Sequence, residues 1–138
     1  MDLSVRIERW PLANAFTISR GSKTEAVVVT VELSDGTHRG RGECVPYPRY
    51  RESPEGVVAA IEAMRPALAR GLDRTALQSE MPAGAARNAL DCAFWDLEAK
   101  RSGRRAYELA GLAVPKPLVT AYTISLGTPA AMAAAAER

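Results

Sequence analysis

At 138 residues, the chain has room for one domain with a real core and little for a second. It is 47% hydrophobic and 25% charged, a globular profile rather than a disordered or fibrous one. A net charge of +2 with no dense basic run excludes the electrostatic footprint of a nucleic-acid binder.

The opening MDLSVRIERW has no apolar signal core, and no apolar run reaches the roughly 18 residues that a membrane span needs. LSVRI alternates Leu3, Val5 and Ile7 with Ser4 and Arg6, the pattern of a half-buried strand. A break is expected over Pro11 to Asn14, and a loop over residues 16 to 25. AVVVTVEL (26 to 33) is β-branched and reads as a central strand. Asp35-Gly36 makes a turn, and a return strand of about six residues ends at Glu43. The expected product is a three-stranded antiparallel meander.

The loop GECVPYPRYRES (42 to 53) follows, with two tyrosines, two prolines and two arginines where small polar residues are usual. Ser53 then caps a helix with Pro54 at its first position. Val57, Ile61, Met64 and Leu68 form its buried stripe, and Pro66 ends or kinks it near Arg65. A short helix is expected around Thr75 to Met81. The main helix runs from about Ala83 to Ser102, with Ala86, Leu90, Ala93 and Leu97 on one face and Gly103 as its stop. Another short helix covers Ala106 to Ala110. Strands followed by helices predict an α+β layout.

The last piece departs from that layout. After the hinge VPKP (114 to 117), LVTAYTISL reads as a strand, and Thr128-Pro129 opens a helix. A parallel sheet cannot be built from one strand, so this βα unit reads as the start of a larger barrel. Val119, Ala121, Thr123 and Ser125 share one face, and Tyr122, Ile124 and Leu126 the other. The small, hydroxyl-bearing face suits a barrel interior, with Thr123 toward the C-terminal end where barrel enzymes keep their chemistry.

The residues on their own supply no complete catalytic constellation. The only histidine, His38, reads as an exposed flank of the turn, and GRG at 40 to 42 lies in a strand without the context of a phosphate cradle. Cys44 and Cys92 form neither a disulfide framework nor a zinc spacing, which points to a reducing cytoplasm. Cys44 reads as structural, and Cys92 as a small buried filler. Asp91, Asp96 and Glu98 read as surface charge paired with arginines. The basic cluster Lys100, Arg101, Arg104 and Arg105 sits where a helix C-terminus favours cations. After residue 117 the sole acidic residue is Glu137, so the barrel-like piece brings no metal site.

AARNALDCAFWDLEAKR (85 to 101) resembles the helical signature of the enolase superfamily in its mandelate racemase and muconate lactonizing branch. Phe94 stands where that signature favours a small or aliphatic residue. WPLANAFTISRGSKTEA, GECVPYPRYRES, PAGAARNALDCAFWDL and VTAYTISLGTP, in collinear order, resemble the bacterial L-Ala-D/L-Glu epimerases, the dipeptide epimerases of murein peptide recycling. The resemblance implies a capping domain over residues 1–113. Residues 114–138 then supply the hinge, first strand and partial helix of an incomplete (β/α) barrel.

The same resemblance implies that residues 16 to 25 and GECVPYPRYRES are two cap loops closing over the barrel mouth, on an acidic dipeptide. Arg20 and Lys23 would then face the Glu side chain, Tyr50 and Tyr47 would wall the pocket, and Thr123 would contact substrate. The bland alternatives are solvated charge for Arg20, Lys23, Arg49 and Arg51, loop packing for the tyrosines, and an interior hydroxyl bonded to a neighbouring strand for Thr123. The implied reaction is a Mg²⁺-assisted 1,1-proton transfer between two lysines. Those lysines and the carboxylate ligands belong to later barrel strands, so this chain alone is expected to be inactive and to bring no metal ligands. Two other readings stand beside it. One is a different enolase-superfamily activity, such as a cycloisomerase or o-succinylbenzoate synthase. The other is a non-catalytic cap that self-associates through its exposed barrel strand. Neither nucleic acid nor membrane is an expected partner.

Overall fold

In the computed structural model, which describes residues 1–137, the β-branched run becomes part of β2 (Gly21–Ser34). This is the central strand of a sheet in the order β1-β2-β3, between β1 (Asp2–Ile18) and β3 (Arg39–Cys44). Val29, Val31 and Leu33 are buried, as suits residues stiff at Cβ on a pleated, covered surface. β2 and β3 are antiparallel, in register from Val29 opposite Cys44 to Ser34 opposite Arg39. Asp35 holds the turn between them by accepting the backbone N–H groups of His38 and Thr37 at 2.7 and 2.9 Å. Those bonds hold its carboxyl below the usual carboxylate range.

The first hairpin is longer than the sequence suggests. Neither the break at Pro11 to Asn14 nor the loop over 16 to 25 is present: β1 continues to Ile18 and β2 resumes at Gly21 after a two-residue reversal at Ser19 and Arg20. Pro11 is tolerated because β1 is an edge strand, where a missing donor need not interrupt a ladder. Gly21 takes φ +149° just after the reversal, a value that L side chains avoid.

β3 alternates strictly, with Gly40, Gly42 and Cys44 buried and Arg39, Arg41 and Glu43 exposed. Its glycines face the main helix, α4 (Ala85–Ser102). A Cβ on Gly40 would strike the Ala93 carbonyl, and one on Gly42 the Ala89 carbonyl. The GRG sequence is thus a packing device that lets helix and strand backbones touch.

The helices are α1 (Pro54–Glu62), α2 (Arg65–Ala69), α3 (Arg74–Glu80), α4 (Ala85–Ser102), α5 (Ala106–Leu109) and α6 (Pro129–Ala136), with a 3₁₀ turn at Pro48–Tyr50 ahead of them. Ser53 caps α1 as expected, accepting the Gly56 N–H at 3.0 Å, and Asp73 caps α3 through the Ala76 N–H at 2.7 Å. Pro66 starts a helix rather than ending one. α1 stops at Glu62 and Pro66 sits in the first turn of α2, where its missing N–H has no intrahelical role. Val57, Ile61, Leu68, Leu77, Leu90, Ala93 and Leu97 are buried with the β2 valines in a single core. Gly103 closes α4 at φ +67°.

The chain divides into two compact units: Met1–Glu8 with Val27–Pro115, and Arg9–Ala26 with the residues from Lys116 onward. In the second, the expected strand LVTAYTISL does not form, and residues 112–128 carry neither strand nor helix. A strand exists only where its N–H and C=O groups meet a neighbour. Here that happens at one end, where the Leu126 N–H donates to the Thr17 carbonyl at 2.8 Å. Val119 and Tyr122, placed on opposite faces by alternation, are both exposed.

Candidate functional site

The second unit is built from the outer part of the first hairpin and the segment after Lys116. Ser125 joins them: its Oγ accepts the Thr17 N–H at 2.9 Å and donates to the Ala15 carbonyl at 3.3 Å. A groove of about 850 Å³ lies beside this join, lined by residues 12–16, residues 122–127, and Ala131 and Ala135 of α6. Its polar groups come from Asn14, Tyr122, Thr123 and Ser125. Thr123 therefore lies on the groove wall and is exposed, not bonded into a neighbouring strand.

Arg20 and Lys23 occupy the hairpin tip, Arg20 in the reversal and Lys23 on β2, both exposed. Neither lines the groove, and among the described residues neither enters a salt bridge. Lower on the same ribbon, Arg9 pairs with Glu25 at 2.5 Å, an exposed pair that contributes little.

Tyr50 belongs to the first unit, in the loop between β3 and α1. Pro46 is buried and anchors that loop; Tyr47 and Tyr50 pack with ring centroids 5.9 Å apart and planes tilted by 54°. Tyr50 still exposes 72% of its surface. After the 3₁₀ turn, Arg51 takes φ +62°, the left-handed region that a non-glycine residue enters at a cost. Glu52 then bonds in two directions: one carboxylate oxygen accepts the Tyr47 N–H at 3.0 Å, the other the Ala85 N–H at 2.7 Å. The sequence reading overlooked Glu52, because its partner Ala85 is distant along the chain. Gly84 was the available signal, since a helix that begins after a glycine lacks a side-chain cap and must find an acceptor elsewhere.

The thiols divide as exposure dictates. Cys44 is buried in the core, and burial, reinforced by Glu52 and Glu43, pushes its thiol to about 11. Cys92, expected to be a buried filler, is exposed instead. It lies four residues from Asn88 and four from Asp96, in a row that follows the edge of β3 rather than the core face. Asn88 donates to the Glu43 carbonyl, Asp96 accepts the Arg41 N–H at 2.8 Å, and Lys100 donates to the Arg39 carbonyl at 2.8 Å. Of the α4 carboxylates expected to pair with arginines, Glu98 alone does so among the described residues, Asp96 pairing with Lys100 instead. Asp91 accepts from Gln78, and Glu98 pairs at 3.2 Å with Arg74, whose guanidinium lies 3.6 Å above the Trp95 ring. Among the described residues no three His, Cys, Asp or Glu side chains come together as a metal site would require. No described helix is long and apolar enough to cross a membrane.

The family model for the N-terminal domain of mandelate racemase / muconate lactonizing enzymes matches residues 1–111. The L-Ala-D/L-Glu epimerase of Escherichia coli (strain K12) is 51% identical over 130 residues, covering 94% of this chain and 40% of the relative. A crystal structure of an enolase family member from Agrobacterium tumefaciens, described as having homology to dipeptide epimerases and holding sodium and L-Ala-L-Glu, superposes with a TM-score of 0.88 at 58% identity. That match covers 96% of this chain and 41% of the other. A dipeptide epimerase from Cytophaga hutchinsonii, complexed with Mg and D-Ala-L-Val, follows at a TM-score of 0.76 and 28% identity, over 97% and 39% of the two chains. The chain thus spans about two fifths of the length of these relatives. The three-stranded antiparallel sheet, the helices that follow it and the match over 1–111 agree: the chain belongs to the mandelate racemase / muconate lactonizing enzyme family, as its N-terminal domain.

Proposed function

We propose that this chain is the N-terminal part of a dipeptide epimerase acting on L-Ala-D/L-Glu in the cytoplasm, in murein peptide recycling. Residues 1–113 form the cap and residues 114–138 begin the barrel. The observation that carries the reading is the 51% identity to an L-Ala-D/L-Glu epimerase, running through both cap segments and into the TAYTISL stretch. Cycloisomerase and o-succinylbenzoate synthase activities have no comparable support.

In this reading the chain contributes recognition rather than proton transfer. Arg20 and Lys23, exposed cations on the hairpin tip, meet the side-chain carboxylate of the dipeptide. Thr123 presents its hydroxyl from the groove wall, and Tyr50 supplies a rigid amphipathic surface that excludes water and strengthens the electrostatics around the substrate. Magnesium would supply charge stabilisation at the substrate carboxylate, but among the described residues the carboxylates do not converge into a site for it, and no step is assigned to it through this chain.

The test is solvent deuterium exchange at the Glu α-carbon of L-Ala-D-Glu in D₂O with magnesium. The complete gene product is expected to exchange and to interconvert the epimers, while residues 1–138 alone leave the α-proton in place. A complete product that fails to exchange, or a 1–138 chain that does so free of intact enzyme, overturns the proposal.

A further inference from the structure

The loop carrying Tyr47 and Tyr50 is held locally by buried Pro46 and by the Tyr50 and Arg51 N–H groups, which donate to the Tyr47 and Pro48 carbonyls. Residues 47 and 48–50 are exposed, and the loop ends in a left-handed arginine. Among the described residues, its one charge-assisted connection to a rigid element is Glu52. The carboxylate closes the loop on itself through the Tyr47 N–H and reaches the first residue of α4, the longest helix, through the Ala85 N–H. Carboxylate–amide bonds of this kind are roughly twice as strong as neutral ones, and the Ala85 bond adds the favourable interaction of an anion with a helix N-terminus.

Gly84 shows that the position is built for this side chain. A Cβ on Gly84 would lie 3.0 Å from the Glu52 carboxylate oxygen, so the absent side chain leaves room for the carboxylate. Gly84 also takes φ +155°, and no side chain of its own competes for the helix end.

We infer that Glu52 is a positioning residue: it fixes the Tyr47–Tyr50 pair to the N-terminus of α4 and so sets the shape of the aromatic loop toward the substrate. The inference rests on the dipeptide-epimerase reading for the word substrate, and on geometry alone for the tether. Two bonds from one carboxylate make the coupling specific. Loss of the side chain frees both amides together, although they lie 38 residues apart in sequence.

The first experiment uses the 138-residue chain. Amide hydrogen exchange by NMR on Glu52→Ala is expected to speed exchange at both Tyr47 and Ala85 about tenfold or more, while β2 amides keep their protection. Glu52→Gln, which keeps an acceptor oxygen but not two charged ones, is expected to restore protection at only one of the two. An unchanged Tyr47 amide in Glu52→Ala, or uniform loss across β2, overturns the tether.

The second experiment uses the complete gene product. Glu52→Ala is expected to raise KM for L-Ala-D-Glu about tenfold with kcat within about twofold, the signature of lost binding rather than lost chemistry, and Glu52→Gln to recover part of the loss. Equal KM in wild type and Glu52→Ala overturns the positioning role even if the tether stands. A wild-type product without turnover sinks the functional proposal and with it the substrate-positioning role, while the exchange data still decide the tether.

Discussion

The two cysteines show how little residue type alone fixes. Both are small and weakly polar, yet Cys44 faces the core and Cys92 faces solvent. Cys44 was read as structural at the opening of the aromatic loop, and it proves to be the last residue of β3, on the buried face of that strand's alternation. The helical position of Cys92 did not reveal its environment, because its row on α4 follows the β3 edge and that edge is formed by residues about fifty positions earlier. A thiol reagent at pH 8 is expected to titrate one group, Cys92, in the folded chain, and the second only on unfolding. Cys44 also makes stability depend on pH. Its thiol is held near 11 in the folded state against an ordinary 9.0, so the folded chain retains a proton that the unfolded chain loses between those values. The associated stability is complete below pH 9 and declines as pH rises through 11, by at most about 2.7 kcal/mol. Urea midpoints at pH 8 and pH 10.5 measure it, and Cys44→Ala is expected to flatten the decline.

Among the elements, helix existence and capping were legible. Ser53, Pro54, Gly103 and the Ala86/Leu90/Ala93/Leu97 face all act as their local chemistry implies. What the sequence hid was length and partnership. Pro11 argued for a break that an edge strand does not need, and the LVTAYTISL alternation argued for a strand whose hydrogen-bonding neighbours this chain does not supply. The glycines of β3 lie in a strand, as the sequence indicated, and what it did not show is their contact with α4. Gly42→Ala therefore tests the element directly. The added methyl meets the Ala89 carbonyl, backbone that cannot rotate away, and the variant is expected to lose about 2–3 kcal/mol in denaturant unfolding. Adding Ala89→Gly removes a side chain but not the carbonyl, so the double variant is expected to show no rescue. Recovery in the double variant would mean that side-chain crowding, not backbone contact, sets the spacing.

For the molecule as a whole, the sequence singled out the segment around Thr123 but not its surroundings. Tyr122 and Ile124 line the groove together with Thr123 and Ser125, so the alternation expected of a strand did not read which side chains gather there. The sequence could not show that Ser125 joins the hairpin to that segment, since a hydroxyl's partner depends on tertiary contact. Leu118, Val119 and Tyr122 remain between 82% and 105% exposed, three large apolar side chains in solvent on one short segment. Residues 1–138 by themselves are expected to associate as concentration rises, and Leu118→Lys with Val119→Lys to return the chain to a monomer. Analytical ultracentrifugation decides it, and a wild-type chain that stays monomeric throughout counts against the expectation. The α4 row of Asn88, Asp96 and Lys100 gives such association a direction. It occupies the backbone groups of Arg39, Arg41 and Glu43 that a new strand would need as a template. On the opposite side, Ser125 and Leu126 already hold β1 at Thr17, and Pro11 removes a donor midway along it. The sheet is therefore sealed against growth along β3 and interrupted along β1. Strand pairing between copies is therefore expected to use the open stretches of β1 or the 112–128 segment, leaving the β3 edge under α4.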